Sequence, residues 1–142
     1  MATPRVVVDT NVLTGALLGR EGYNRRVLRA CLEERWRPIV GQTLFFEYED
    51  VLGRQELFRH SPISAHERQQ LLEAFLSVCD WVEVYYHWRP NLRDEADNHV
   101  LELAVAGGAA MVTNNLADFR GSELRFPQVR ILSPKESLTE LA

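Results

Sequence analysis

The chain has 142 residues, the usual span of one domain around one core, and its 46% hydrophobic and 25% charged residues exclude the disordered and fibrous classes. A formal net charge of −4 excludes a protein that holds nucleic acid through one broad positive surface, but not one that works through clustered carboxylates. No stretch approaches the roughly 20 apolar residues of a membrane helix, and polar residues interrupt MATPRVVVDTNVL too early for a signal peptide, so a cytoplasmic location is expected.

Arg5–Asp9 (RVVVD) is a short β-branched run of the kind that forms a buried strand. Asn11 is the expected N-cap of a helix carrying Val12, Leu13, Ala16 and Leu17 on one side. A second helix, Tyr23 to Glu34, turns Tyr23, Val27, Ala30 and Cys31 inward and Arg25, Arg26 and Arg29 outward. Pro38–Val40 is a brief strand and Thr43–Leu52 a helix. Ser64 and Glu67 form a capping box ahead of Leu71, Leu72, Phe75, Leu76 and Cys79 at helical spacing. Trp81–Tyr85 alternates like a strand. Asp97–Ala106 is helical in pattern and stops at Gly107-Gly108. Ala109–Thr113 and Val129–Leu132 are further buried strands. Ser133-Pro134-Lys135-Glu136 is a second capping box, opening a short last helix. Cys31 and Cys79 lie in apolar periodic segments and are expected as reduced thiols.

Strands separated by helices imply a mainly parallel sheet, and such sheets place ligands outside the carboxyl ends of their strands. Asp9 ends the first strand and so belongs to that edge. Asp97 has Val100, Leu101 and Ala104 as helical neighbours, an apolar setting in which an ionised carboxylate is costly without a compensating partner. Glu47 shares an apolar face with Leu44, Tyr48 and Val51, but Glu49 and Asp50 have apolar neighbours too, and the pattern does not choose among them. Thr113-Asn114-Asn115-Leu116-Ala117-Asp118 follows the second clear strand and delivers a hydroxyl, amides and a carboxylate to the same edge. Several acids crowded there repel one another, and a hard divalent cation with oxygen ligands, Mg²⁺ or Mn²⁺, removes that repulsion. Zinc is disfavoured, because His60, His66, His87 and His99 do not pair with the cysteines at ligand spacing. His99, two residues from Asp97, is expected to point elsewhere on its helix.

VVVDTNVL, FFEYEDVL and RDEADNHVLELAVAGGAAMVTNNLADF, in that order, resemble the PIN domain, most closely the branch of VapC-like toxin components of toxin–antitoxin systems; ILSPKESL also fits. The resemblance implies a three-layer α/β/α sandwich spanning residues 1–142 as one domain. It implies a metal-dependent endoribonuclease with Asp9, Glu47, Asp97 and Asp118 as catalytic and metal-binding acids. It selects Glu47 over Glu49 and Asp50, and makes Asp94 auxiliary. Where relatives often carry an aspartate after the last buried strand, this chain has Asn114 or Asn115. Where they often read Asp-Pro-Asp-Asp, it reads Asp94-Glu95-Ala96-Asp97.

The expected reaction is hydrolysis of RNA phosphodiesters. Thr10, Asn11, Thr113 and Asn115 support the acids or position phosphate, and Arg25, Arg26 and Arg29 are candidate RNA contacts. Expected partners are an RNA substrate, a cognate antitoxin and a second copy in a homodimer. Two alternatives compete. A phosphatase of the haloacid-dehalogenase type needs a second aspartate two residues after the first, where this chain has Asn11. A PIN-like module that binds RNA or protein without cutting is kept open by Asn115.

Overall fold

The computed structural model describes residues 3–19, 22–84, 98–119 and 128–141. Its described strands are β1 (Arg5–Val8), β2 (Arg37–Val40), β3 (Asp80–Trp81), β4 (Ala110–Val112) and β5 (Ile131–Leu132). They form one parallel sheet in the order β3–β2–β1–β4–β5. The described helices are α1 (Thr10–Leu18), α2 (Tyr23–Leu32), α3 (Gln42–Leu52), α4 (Ala65–Ser77), α5 (Asn98–Gly107), α6 (Leu116–Phe119) and α7 (Pro134–Glu140). The expected α/β/α sandwich is the fold observed.

Val6, Val7 and Val8 are at most 2% exposed, as an unbroken apolar strand must be when helices cover both faces of its sheet. α5 packs on β1, β2 and β4, α1 lies against α2 and α3, and α7 joins α2 to β5. α1 and α2 meet closely at Gly15, where a Cβ would stand 2.3 Å from the Asn24 Nδ2 atom. Both capping boxes form: Ser64 with Glu67 opens α4, and Ser133 with Glu136 opens α7. Cys31 is buried and Cys79 half-buried, and both are free thiols. Burial pushes the Cys31 thiol up to about 12, so it stays protonated and unreactive.

From β1 the chain steps outward to β2 and β3, then returns to β4 on the other side of β1. The carboxyl ends of β1 and β4 therefore flank the point where strand order reverses, the place where open α/β sheets receive ligands. Val8 is in register with Val112, and the Asp9 amide donates to the Val112 carbonyl at 2.9 Å. Asp9 and Thr113 thus leave the sheet side by side.

Four local expectations change. The N-cap of α1 is Asp9 rather than Asn11: Asp9 is extended (φ −62°, ψ 147°), and its Oδ1 accepts from the Thr10 amide at 2.8 Å. Asn11 instead lies inside the first turn. α2 ends at Leu32, because Glu34 turns left-handed (φ 60°). β3 covers only Asp80–Trp81, since its partner β2 ends at Val40 where α3 begins. The last strand is Ile131–Leu132, shorter than the apolar run Val129–Leu132. Tyr85, Asp94 and Asp97 lie outside the described residues.

Candidate active site

Asp9 is only 5% exposed, although it sits at the sheet edge. Its Oδ1 accepts from the Thr10 amide, and its Oδ2 accepts from the Thr113 hydroxyl at 2.8 Å and the Asn11 amide at 3.2 Å. The capping role and the acidic role fall on one side chain. Burial pushes its carboxyl above the usual aspartate range; the Thr113 and Thr10 hydrogen bonds oppose that shift, while the charge of Glu47 adds to it. Thr113 is fully buried, and its hydroxyl oxygen also accepts from the Asn115 amide at 3.0 Å, so one hydroxyl ties the β4 loop to the β1 acid.

Glu47 reaches the same place from α3. Tyr48, fully buried beside it in sequence, donates its hydroxyl to the Val8 carbonyl and pins α3 against the end of β1. Both Glu47 oxygens are held. The Thr10 hydroxyl donates to Oε1 at 2.5 Å, and His99 Nε2, from α5, meets Oε2 at 2.8 Å. The His99 hydrogen bond is the main reason the Glu47 carboxyl titrates below the usual range, against the pull of burial. Neighbouring acids are thus driven in opposite directions, a pattern common where carboxylates do chemistry.

His99 is the residue that sequence reasoning missed. It was expected to point away because only its own helix partner, Asp97, was considered. The partner lies on α3, 52 positions away, and no local pattern reports that pairing. An ionised carboxylate can only accept, so Nε2 carries the proton, and the buried Nδ1 has no hydrogen-bond partner among the described residues.

A cavity of about 420 Å³ opens over the two acids, lined by Asp9, Thr10, Asn11, Thr14, Gly15, Leu18, Glu47, Val51 and Asn115. Asp9, Glu47, Thr10, Asn11 and Asn115 are therefore brought together, with Thr113 directly behind Asp9. Asp118 stands half-buried on α6 and is not part of that lining, whereas Asn115, at the start of the same loop, is. Glu49 and Asp50 are exposed, and Asp50 is paired with Arg54 at 2.6 Å.

The outward arginines of α2 divide. Arg25 and Arg29 line a second, mainly apolar concavity of about 560 Å³ with Leu17, Leu28, Leu32 and Ile63. Arg25 Nε also donates to the Ala16 carbonyl at 3.3 Å. Arg26 instead faces the Tyr23 ring.

Among the described residues no group of three or more His, Cys, Asp or Glu converges as a metal-binding cluster. The two acids that do converge nevertheless suit a hard cation: their oxygens are oriented by Thr113, Thr10 and His99, and Asp9 is a buried carboxylate beside a second one. No helix among the described residues is long and apolar enough to cross a membrane.

A family profile described as PIN domain matches residues 5–117. No curated protein matches the chain. Among solved structures, one chain of the crystal structure of VapBC2 from Rickettsia felis bound to a DNA fragment from their promoter superposes with a TM-score of 0.62. That match has 16% identity and covers 91% of this chain and 98% of the other, a likeness of fold. With the profile spanning most of the sequence, and its acids at the carboxyl edge of a parallel sheet, the chain belongs to the PIN domain family.

Proposed function

We propose that the protein is a Mg²⁺- or Mn²⁺-dependent endoribonuclease, the toxin of a toxin–antitoxin pair, that cleaves exposed single-stranded RNA. The observation that carries the reading is the juxtaposition of Asp9 and Glu47 in one cavity at the strand-order reversal, with every carboxylate oxygen held by a neighbour. Asp9 and Glu47 would hold the cation, with Asp97 and Asp118 as the further acids of the set and Asp94 auxiliary. When bound, the cation supplies positive charge for the scissile phosphate and acidifies a water for attack. Thr113 and the Thr10 amide fix the Asp9 oxygens, while Thr10 and His99 fix those of Glu47. The side-chain amide of the exposed Asn115, in the cavity wall, would donate to a phosphate oxygen.

The cognate antitoxin is the proposed protein partner. The apolar concavity rimmed by Arg25 and Arg29 offers it a face distinct from the acidic one. A homodimer in the cytoplasm completes the reading, and light scattering of the purified protein reports the oligomer.

Cleavage of single-stranded RNA in Mn²⁺ or Mg²⁺ by the wild-type protein, beside Asp9→Asn, is the test. Loss of about 10³-fold in rate on substitution is expected where a ligand carries several kcal/mol of transition-state stabilisation. Equal cleavage by both proteins, or none by either, would sink the reading. One observation favours a second reading, an RNA- or protein-binding module that does not cut: Asn115, a neutral amide, lines the cavity where Asp118 does not.

A further inference from the structure

The surface beyond the acidic cavity carries a built aromatic–basic patch. Tyr23, the first residue of α2, is 45% exposed. The Arg26 guanidinium carbon lies 5.9 Å from its ring centroid, and Lys135 Nζ, from the first turn of α7, also lies 5.9 Å from it. Lys135 is the single lysine of the chain, and α7 is brought beside α2 by the fold. Both cations are exposed, and neither forms an ion pair among the described residues. By contrast Arg35, at the far end of α2, is bound to Glu33 at 3.0 Å, and Arg130 to Glu140 at 3.3 Å. Two exposed cations with no ion-pair partner among the described residues thus stand beside one exposed ring, in a protein of net charge −4.

Hydrogen bonds link the acidic cavity to the start of α2, where Tyr23 stands. Asn24, next to Tyr23, accepts through Oδ1 from Asn114 Nδ2 at 3.0 Å. The Asn114 backbone amide donates to Asn11 Oδ1 at 3.1 Å, and Asn11 lines the acidic cavity with Asn115. Gly15 keeps this line short, since any Cβ there would displace the Asn24 amide. A row of amide groups therefore runs from the Asp9–Glu47 cavity to Asn24, the residue after Tyr23 in the first turn of α2. Such a row offers hydrogen bonds to bases and sugars, and the residue preceding its last member presents an aromatic ring beside two cations, the pairing that single-stranded nucleic acid uses.

We propose that Tyr23, Arg26 and Lys135 form a subsite for single-stranded RNA: one base stacks on Tyr23 and the adjoining phosphates contact Arg26 and Lys135, while a neighbouring stretch of the strand occupies the acidic cavity. The proposal rests on the nuclease reading for the identity of the strand, but not on cleavage. It separates Arg26 from Arg25 and Arg29, whose side chains belong to the apolar concavity.

Fluorescence anisotropy of a labelled single-stranded RNA of about 12 nucleotides, long enough to span cavity and patch, tests it in metal-free buffer where no cutting occurs. Tyr23→Ala weakens binding about 10-fold through lost stacking. Arg26→Ala and Lys135→Ala each flatten the dependence of log affinity on log salt by about one unit. Arg35→Ala leaves both affinity and slope unchanged. All four side chains are exposed, and circular dichroism confirms that the variants fold. The proposal is overturned if the Tyr23/Arg26/Lys135 triple variant binds the RNA with wild-type affinity and salt slope, or if the wild-type protein binds none. Cleavage by the wild type with unchanged binding by the triple variant removes the subsite and keeps the nuclease. Tyr23-dependent binding without any cleavage keeps the subsite and removes the nuclease.

Discussion

His99 Nε2 stands 2.8 Å from Glu47 Oε2 while the Thr10 hydroxyl holds the opposite oxygen, so the Glu47 carboxylate is clamped from α5 and α1 although it is carried by α3. A carboxylate fixed on both sides meets a cation without first losing side-chain freedom. Removal of such an outer partner typically costs about 10–100-fold in metal affinity. His99→Leu is therefore expected to weaken Mn²⁺ binding, measured by calorimetry, by about 10-fold, and to lower RNA cleavage with it. His99→Gln, which can still present an N–H to Oε2, should recover most of the affinity. Equal Mn²⁺ affinity in wild type and His99→Leu would show that the clamp contributes nothing to the site.

Asp9 links the site to stability. Its carboxyl is raised above 3.8 chiefly by burial, so the metal-free fold prefers it protonated. That stabilisation is complete below 3.8 and is lost as pH rises through the raised value. Glu47 has the opposite sign: its stabilisation is present above 4.5 and disappears as pH falls through its lowered value. In the metal-free protein the ionised form of Asp9 is thus the poorly solvated, costlier one. Asp9→Asn should raise the melting temperature of the metal-free protein by about 3–5 °C, the shift of roughly 1 kcal/mol in a domain of this size. The order reverses with Mn²⁺, which should stabilise the wild type and leave the variant unmoved. Because the cation needs the ionised form, Mn²⁺ affinity should fall on acidification at a pH above that of an ordinary aspartate site. Thermal melts at pH 5 and pH 7, with and without Mn²⁺, check both signs.

The parallel sheet was legible because its strands are short apolar runs between helical periodicities, and Val6, Val7 and Val8 cannot be read otherwise. The capping boxes at Ser64 and Ser133 were legible because they are local, three residues wide, and indifferent to the rest of the fold. Asp9 was placed by a topological rule, but its capping role was assigned to Asn11. Both side chains can cap, and only the backbone turn at Asp9 decides between them. The choice of Glu47 over Glu49 and Asp50 could not come from periodicity, since all three have apolar neighbours. In the sequence it rested on the resemblance alone; in the fold the Tyr48 bond to Val8 holds α3 with Glu47 toward the cavity and Glu49 and Asp50 exposed. The Glu47–His99 and Asn24–Asn114 contacts join residues 52 and 90 positions apart, and they exist only once the helices are packed.

Asn115 and Asp118 differ in how they stand to the cavity. Asn115 lines the cavity and Asp118 stands outside that lining on α6. An amide oxygen is a neutral ligand, so Asn115→Asp adds a charged one in the same place. The substitution is expected to lower the Mn²⁺ concentration for half-maximal cleavage by about 10-fold, roughly 1.4 kcal/mol of added binding. Asp118→Asn should raise that concentration by a smaller factor than Asp9→Asn. Metal titrations of the cleavage rate in the three variants check the ranking. A larger loss in Asp118→Asn than in Asp9→Asn would make Asp118 a principal ligand.

Thr113 tests whether the site is held by the hydroxyl or merely by the packing around it. Its side chain is fully buried, donates to Asp9 Oδ2 at 2.8 Å and accepts from the Asn115 amide at 3.0 Å. Thr113→Val keeps the shape and removes both bonds, together with the weaker one that the hydroxyl accepts from Asn11 Nδ2 at 3.4 Å. The Asn115 amide then loses its acceptor, and a buried carboxylate oxygen loses its strongest hydroxyl donor. Each loss carries a desolvation penalty, so a destabilisation of about 1–3 kcal/mol is expected, a fall in melting temperature of roughly 3–10 °C. Thr113→Ser, which keeps the hydroxyl and drops only a methyl group, should lose less than half as much. Mn²⁺ affinity should follow the hydroxyl rather than the methyl group, falling in Thr113→Val and surviving in Thr113→Ser. If the two variants melt together and bind the cation equally, packing against the end of β4 holds Asp9, and its bond to Thr113 is incidental.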